Sequence, residues 1–177
     1  MIRTRVGYAG GSTDNPTYHR IGDHSETIQI DYDPSLISYR YLLDVFWNGH
    51  DCTAQSMSRQ YMSIIFYHNE QQRELATETA GLQPPVVTEI NPFTRFYAAE
   101  DYHQKYYLQR YPLIWGDLNT IYLDMADIID STAAARINGY IGGNGTLKSL
   151  QAQLSSLGLS PAAAADLLEL GRAVLPG

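Results

Sequence analysis

The sequence predicts a sheet-and-helix protein, α/β or α+β, built as an open sheet covered by helices. Three observations carry that expectation. Short alternating segments and helix-period segments interleave up to Tyr111, with brief loops between them. Beyond Tyr111 strand signals give way to helix-forming sequence. With 177 residues and 44% hydrophobic content the chain can bury one sizeable core. A core over residues 1–111 and a helical extension over 112–177 are therefore expected.

Ile2 to Tyr8 alternates as a strand does, and Gly10-Gly11 stops it. Asp14-Asn15-Pro16 is turn chemistry. Ile28, Ile30 and Tyr32 share one face of a strand from Thr27 to Tyr32, which Asp33-Pro34 ends. Ser38 is placed to cap a helix whose Leu42, Leu43, Phe46 and Trp47 recur at helical spacing as a core stripe. The polar run His50 to Arg59 reads as a loop leading into a strand from Tyr61 to Tyr67. Asn69 caps a second helix that continues to Thr79. Pro84-Pro85 separates that helix from a strand over Val86 to Ile90, and Ala98 to Leu108 is expected as a helix carrying Asp101, His103 and Lys105.

In the extension, Leu118 to Ile129, Leu147 to Leu157 and Pro161 to Val174 are expected helices, with a glycine-rich loop from Gly139 to Gly145. That loop lacks the Gly-Lys-Ser/Thr ending of a phosphate-binding loop, which disfavours nucleotide binding.

The formal net charge of −7 and the scattered Lys and Arg exclude the basic stripe that a phosphate backbone demands. No apolar run approaches the roughly 20 residues that span a bilayer. With no signal-peptide core either, the cytoplasm is the expected compartment, without a nucleic-acid or membrane partner. Fourteen tyrosines against four phenylalanines suit half-buried sheet faces, with a hydroxyl-lined pocket as the second reading.

Glu26 precedes a strand, near His24 and the turn ending in Tyr18, so a buried carboxyl there could serve as an acid. A solvated glutamate at a strand end is the commoner arrangement. Tyr61 follows the irregular loop directly, which allows its hydroxyl to face a cleft or simply the rim of the core. His24, His50 and His103, with Asp51 and Asp101, show no ligand spacing, so no metal is expected. Cys52 is the single thiol, a nucleophile if a neighbouring cation lowers its pKa and a small core hydrophobe otherwise.

In order along the chain, VGYAGGSTDNPTY, GDHSE, YDPSLISYRYLLDVFWNGHD, RQYMSIIFYHNEQQ, TEI and FYAAEDYHQKY together resemble the A-type peptide-methionine sulfoxide reductases. The resemblance implies an α+β two-layer sandwich, a mixed open sheet covered by helices. It implies reduction of methionine-S-sulfoxide, free or in proteins, by a cysteine thiolate that becomes a sulfenic acid. A thiol such as thioredoxin then restores the cysteine, and no cofactor is needed. Matched motif by motif, the acid falls on Glu26 and the oxygen-holding hydroxyls on Tyr18 and Tyr61, while Asp101, His103 and Tyr106 shape the substrate site.

Three departures accompany the match. The family's Gly-Cys-Phe-Trp motif, which carries the nucleophile, is absent, and its first strand and helix would precede Met1. After His50-Asp51 the family's proline is replaced by Cys52, and the following loop is shorter and lacks an aspartate. Residues 112–177 contain no recycling cysteine. The expectation is a reductase relative that is inactive as it stands, with a non-catalytic sulfoxide-binding or protein-interaction module as the alternative and Cys52 as a relocated nucleophile a lesser one. A sheet short of a strand is also expected to expose an edge that invites self-association.

Overall fold

The structure, a computed structural model, describes residues 2–177. The fold is α+β, and the chain divides into two compact units. One comprises Val6–Glu100; the other joins residues 2–5 to 101–177.

The first unit holds strands β1 (Arg3–Ala9, whose first residues belong to the second unit), β2 (Ser25–Asp31), β3 (Ile64–Tyr67), β4 (Glu89–Pro92) and β5 (Phe96–Ala98). They form two small sheets, β2-β1-β5 and β3-β4, where the sequence suggests one. Pairing of β1 with β5 is antiparallel and of β3 with β4 parallel, so the strands are mixed as expected. Gly7 is required at the first pairing, because a Cβ there would meet the Tyr97 carbonyl oxygen at 2.2 Å.

Helix α1 (Tyr39–Asn48) starts at Ser38, whose hydroxyl accepts the Tyr41 amide. It buries Leu43 and Trp47, as the stripe predicts, each burial being worth ~1.5–3 kcal/mol. Helix α2 (Glu70–Ala80) is capped by Asn69 and packs on α1, β3 and β4. Buried Trp47 donates its indole N–H to Thr79 Oγ1 at 2.9 Å, which joins the two helices through a satisfied polar contact.

In the second unit α3 (Pro112–Ile121), α4 (Met125–Asp130), α5 (Thr132–Ile141), α6 (Leu147–Gln153) and α7 (Pro161–Val174) enclose a core of Leu108, Ile114, Leu118, Ile137, Leu150 and Leu167. Side chains of Asp124, Ser131, Thr146 and Ser160 cap the last four.

Several expected elements differ. Residues 98–108 are the end of β5 followed by short 3-10 turns at Asp101–His103 and Leu108–Arg110, not a helix; Lys105 at φ 48° sits in the left-handed region, which interrupts helical backbone. The helix expected over Leu118 to Ile129 is broken at extended Tyr122, and Asp124 restarts it as α4. Gly139 lies inside α5 because that helix buries Ala134, Ile137 and Tyr140 on the core. Tyr61 ends a 3-10 turn (Arg59–Tyr61) capped by Ser58, so β3 starts at Ile64. The strand expected over Val86 to Ile90 begins at Glu89, where pairing with Ile64 begins.

Lys105 is 4% exposed and donates to the Thr4 carbonyl oxygen, while Asp130 also takes Arg3 at 2.6 Å and Arg5 at 3.7 Å. Burial lowers the Lys105 pKa to about 8; Asp130 opposes that shift and Arg5 adds to it. The unfolded chain keeps this proton to about pH 10.4, so between those values it binds more protons and rising pH favours folding. Relative to Lys105→Met, the native protein should gain stability from pH 7 to 9, measured by urea unfolding at each pH; a constant difference would contradict this assignment.

Candidate functional site

A loop wall follows β1. Asp23 gathers four donors: the Ser12 amide at 2.7 Å and hydroxyl at 2.9 Å, and the Thr13 amide at 3.0 Å and hydroxyl at 2.8 Å. These bonds, the Ser12 amide foremost, hold its carboxyl well below the usual carboxylate range. His24, 1% exposed, accepts the Gly11 amide at Nδ1 (3.1 Å), which assigns its proton to Nε2, donating to the Thr13 carbonyl at 2.8 Å. Both ring nitrogens are thus committed to the wall, and His24 is a support rather than a ligand.

The far end of the loop is fixed by Glu100. Its Oε1 accepts the Tyr18 amide at 3.0 Å and its Oε2 the hydroxyl of buried Tyr8 at 2.6 Å. Tyr18 Oη then lies 3.4 Å from Tyr61 Oη. Tyr61 is held through its turn: Ser25 donates to the Arg59 carbonyl at 2.7 Å, and the Arg59 guanidinium donates to Glu89 at 2.7 Å. That guanidinium lowers the Glu89 pKa. Gln60 donates to Glu26 Oε1 at 2.7 Å, which ties the start of β2 to the same turn. The bond to Tyr18 is the main cause raising the Tyr61 pKa, with desolvation and the Tyr18 and Glu26 charges adding to it. Tyr61 therefore keeps its proton for donation.

Glu26 and Tyr61 lie on a groove of about 750 Å³ that continues over Ile28, Ile30, Phe46 and Phe66. Glu26 is exposed, where the sequence allowed a buried carboxyl. His50 lines the same groove: its Nδ1 donates to the Phe46 carbonyl at 2.9 Å and its Nε2 meets Ser63 Oγ at 2.6 Å, with Thr88 Oγ1 2.7 Å beyond. Asp51 folds back on the Thr53 amide and hydroxyl at 2.9 and 2.6 Å. Cys52 is 7% exposed, in an apolar cluster with Leu43, Trp47, Ile65 and Ala76.

Tyr18 and Tyr61 are thus brought together, and Glu26 joins Tyr61 on the groove. Asp101, His103 and Tyr106 belong to the second unit. There Asp101 and His103 share a 3-10 turn, the Asp101 carbonyl accepts from Gln109 at 2.7 Å, and Arg110 lies over the Tyr106 ring at 5.4 Å. Sequence reasoning missed Asp23, Gln60 and Glu100. Glu100 stands within the FYAAEDYHQKY block, but nothing local pairs it with Tyr8, 92 positions away.

The model of the family described as Peptide methionine sulfoxide reductase matches residues 1–115 of the 177. The chain belongs to that family. A Drosophila melanogaster peptide methionine sulfoxide reductase is 42% identical over 168 residues, 91% of this chain and 67% of the relative. The Methanosarcina acetivorans peptide methionine sulfoxide reductase MsrA is 43% identical over 123 residues, 60% of this chain and 65% of that protein. The chain therefore spans about two thirds of the length of these curated relatives. The crystal structure of Saccharomyces cerevisiae Mxr1 in reduced form superposes with a TM-score of 0.55 at 35% identity, covering 62% of this chain and 71% of the yeast chain.

The reductase family span contains all the motif residues named above. A second model, the helical domain of selenoprotein methionine sulfoxide reductase A, matches residues 123–164, so the extension has a family counterpart that composition did not reveal. Among the described residues no helix is long and apolar enough to cross a membrane.

If the hydroxyl pair sets the Tyr61 titration, Tyr18→Phe should lower its midpoint toward the ordinary tyrosine value. Carbon-13 NMR of ring-labelled tyrosine against pH reads this directly; an unmoved Tyr61 midpoint would refute the pairing.

Proposed function

We propose that this chain carries the oxygen-binding part of a peptide-methionine (S)-S-oxide reductase site. Tyr18 and Tyr61 donate to the sulfoxide oxygen, with Glu26 as the acid beside them. The observation that carries this reading is the pair of hydroxyls 3.4 Å apart, brought together from a loop and a turn. A sulfoxide oxygen bears partial negative charge and only accepts, so two held phenol donors suit it, and they act most strongly as charge develops on that oxygen. The apolar stretch of the groove suits the thioether end of the side chain.

Reduction also needs a thiolate within roughly 3–3.5 Å of the sulfur. Cys52 is the single thiol of the sequence; it is 7% exposed, packed with Leu43, Trp47, Ile65 and Ala76, and is not among the residues that line the groove. This supports a chain that binds methionine sulfoxide without reducing it, the non-catalytic module of the alternative reading. Thioredoxin or another thiol has a role only after a sulfenic acid forms. By resemblance, Asp101, His103 and Tyr106 are assigned to substrate binding; the cytoplasm is the proposed compartment.

The test uses N-acetyl-methionine sulfoxide methylamide in separate S and R epimers. Calorimetry should find the S epimer bound in preference, weakened by about three- to tenfold in Tyr61→Phe, the usual effect of one lost hydrogen bond. With dithiothreitol or thioredoxin, chromatography should detect no N-acetyl-methionine methylamide, and dimedone should leave Cys52 unlabelled. Absence of S-epimer binding would overturn the oxygen-site reading. Sustained formation of the reduced thioether that Glu26→Gln removes would overturn the claim of inactivity.

A further inference from the structure

Three Asn-Gly pairs occur in the sequence, at 48–49, 138–139 and 144–145. Such a pair holds a latent reaction of its own. If the glycine amide sheds its proton, its nitrogen can attack the asparagine carboxamide, and glycine offers no side chain to hinder the approach. A folded chain suppresses this wherever it keeps the amide in a hydrogen bond or fixes the carboxamide away from it, so the surroundings separate the three pairs.

The first two are held at both ends. Gly49 donates its amide to the Phe46 carbonyl at 3.2 Å, and Asn48 Nδ2 donates to the Asp44 carbonyl at 2.7 Å. Gly139 lies within α5, whose amides donate four residues back, and Asn138 Oδ1 accepts the Leu108 amide at 3.1 Å.

Asn144-Gly145 differs in each respect. Both residues are exposed in the loop between α5 and α6. The Gly145 amide donates to none of the described residues, while its neighbours are engaged: Asn144 donates to the Gly139 carbonyl at 2.9 Å, Thr146 to Ser149 Oγ at 3.0 Å and Leu147 to the Pro176 carbonyl at 2.9 Å. Asn144 Nδ2 meets the Gly142 carbonyl at 3.3 Å, beyond the usual range of such bonds, so the carboxamide is not locked. Gly143 at φ 82° and Gly145 at φ 96° lack the Cβ that would resist the rotations ring closure needs.

We infer that Asn144 is a self-modification site, at which the chain turns a neutral side chain into a carboxylate without an enzyme. The Gly145 nitrogen bonds to Asn144 Cγ, the Cγ–Nδ2 bond breaks, and ammonia leaves with the proton given up by the amide. Water then opens the five-membered imide. Attack at Cγ gives aspartate; attack at the main-chain carbonyl gives isoaspartate, in which the chain runs on through the side chain and an α-carboxylate is released. No electrons are exchanged, and water is the co-reactant. Isoaspartate lengthens by one methylene a loop pinned at the Asn144 and Leu147 amides. Its α-carboxylate is the group that a carboxyl methyltransferase with a sulfonium methyl donor esterifies, so the aged chain presents a substrate of that class.

The experiment incubates the full chain at pH 8 in water enriched in heavy oxygen, folded in one arm and in concentrated urea in the other, with peptide mapping by mass spectrometry. Each deamidation takes up one heavy oxygen. In the folded chain, label should enter at Asn144 at least about tenfold faster than at Asn48 or Asn138, since those two need a local opening first. In urea the three pairs should react at similar rates. The Asn144 rate should rise from pH 7 to 9, because the attacking amide must lose its proton, and the labelled Asn144 peptide should accept methyl groups from the methyltransferase. No label at Asn144, or protection of Asn144 by the fold equal to that of Asn138, would overturn the proposal; a labelled peptide that accepts no methyl group would overturn the isoaspartyl route. None of these readouts uses methionine sulfoxide, so this site and the oxygen site stand or fall separately.

Discussion

The carboxylate of Glu100 is the contact on which the first unit turns. Tyr8 is 1% exposed near the end of β1, and a buried phenol must find an acceptor. Glu100 follows β5 and gives that acceptor with one oxygen while the other takes the Tyr18 amide. One side chain thereby links the β1–β5 pairing, which Gly7 makes sterically feasible, to the loop that presents the Tyr18 hydroxyl. Charge-assisted bonds of this type are about twice as strong as neutral ones, so the loop inherits some of the rigidity of the sheet.

The loop's other attachments follow the same economy. Asp23 and His24 satisfy backbone donors and acceptors of Gly11 to Thr13 that no sheet or helix would otherwise use. On the opposite side, Ser25 and Gln60 fasten the Tyr61 turn to the start of β2. Each hydroxyl of the pair is thus positioned by main-chain anchoring of its own segment.

How much of this was legible in the sequence depends on the range of the interaction. The Ser38 and Asn69 caps and the stripe of α1 are local signals, and those helices stand where the sequence puts them; so does α7, from Pro161 to Val174. The segment after Ala98 was misread because β5 has three residues and exists only through pairing with β1, while the left-handed backbone at Lys105 has no residue-type signature. Tyr61 was placed on a strand because its apolar neighbours outweighed Ser58, whose capping of a short turn sets where the phenol points. The hydroxyl pair spans 43 positions, and only the family motifs linked its two members in advance. Glu100 lies within those motifs, but its role depends on a partner in β1 that no local signal marks.

The phenols and the thiol of this chain lie in different surroundings. Tyr61 is 58% exposed at the groove, whereas Cys52 is 7% exposed and packed with Leu43, Trp47 and Ile65. Exposing Cys52 means opening contacts of α1 and β3, the elements that also bound the groove, so a thiol freed that way dismantles the site it would serve.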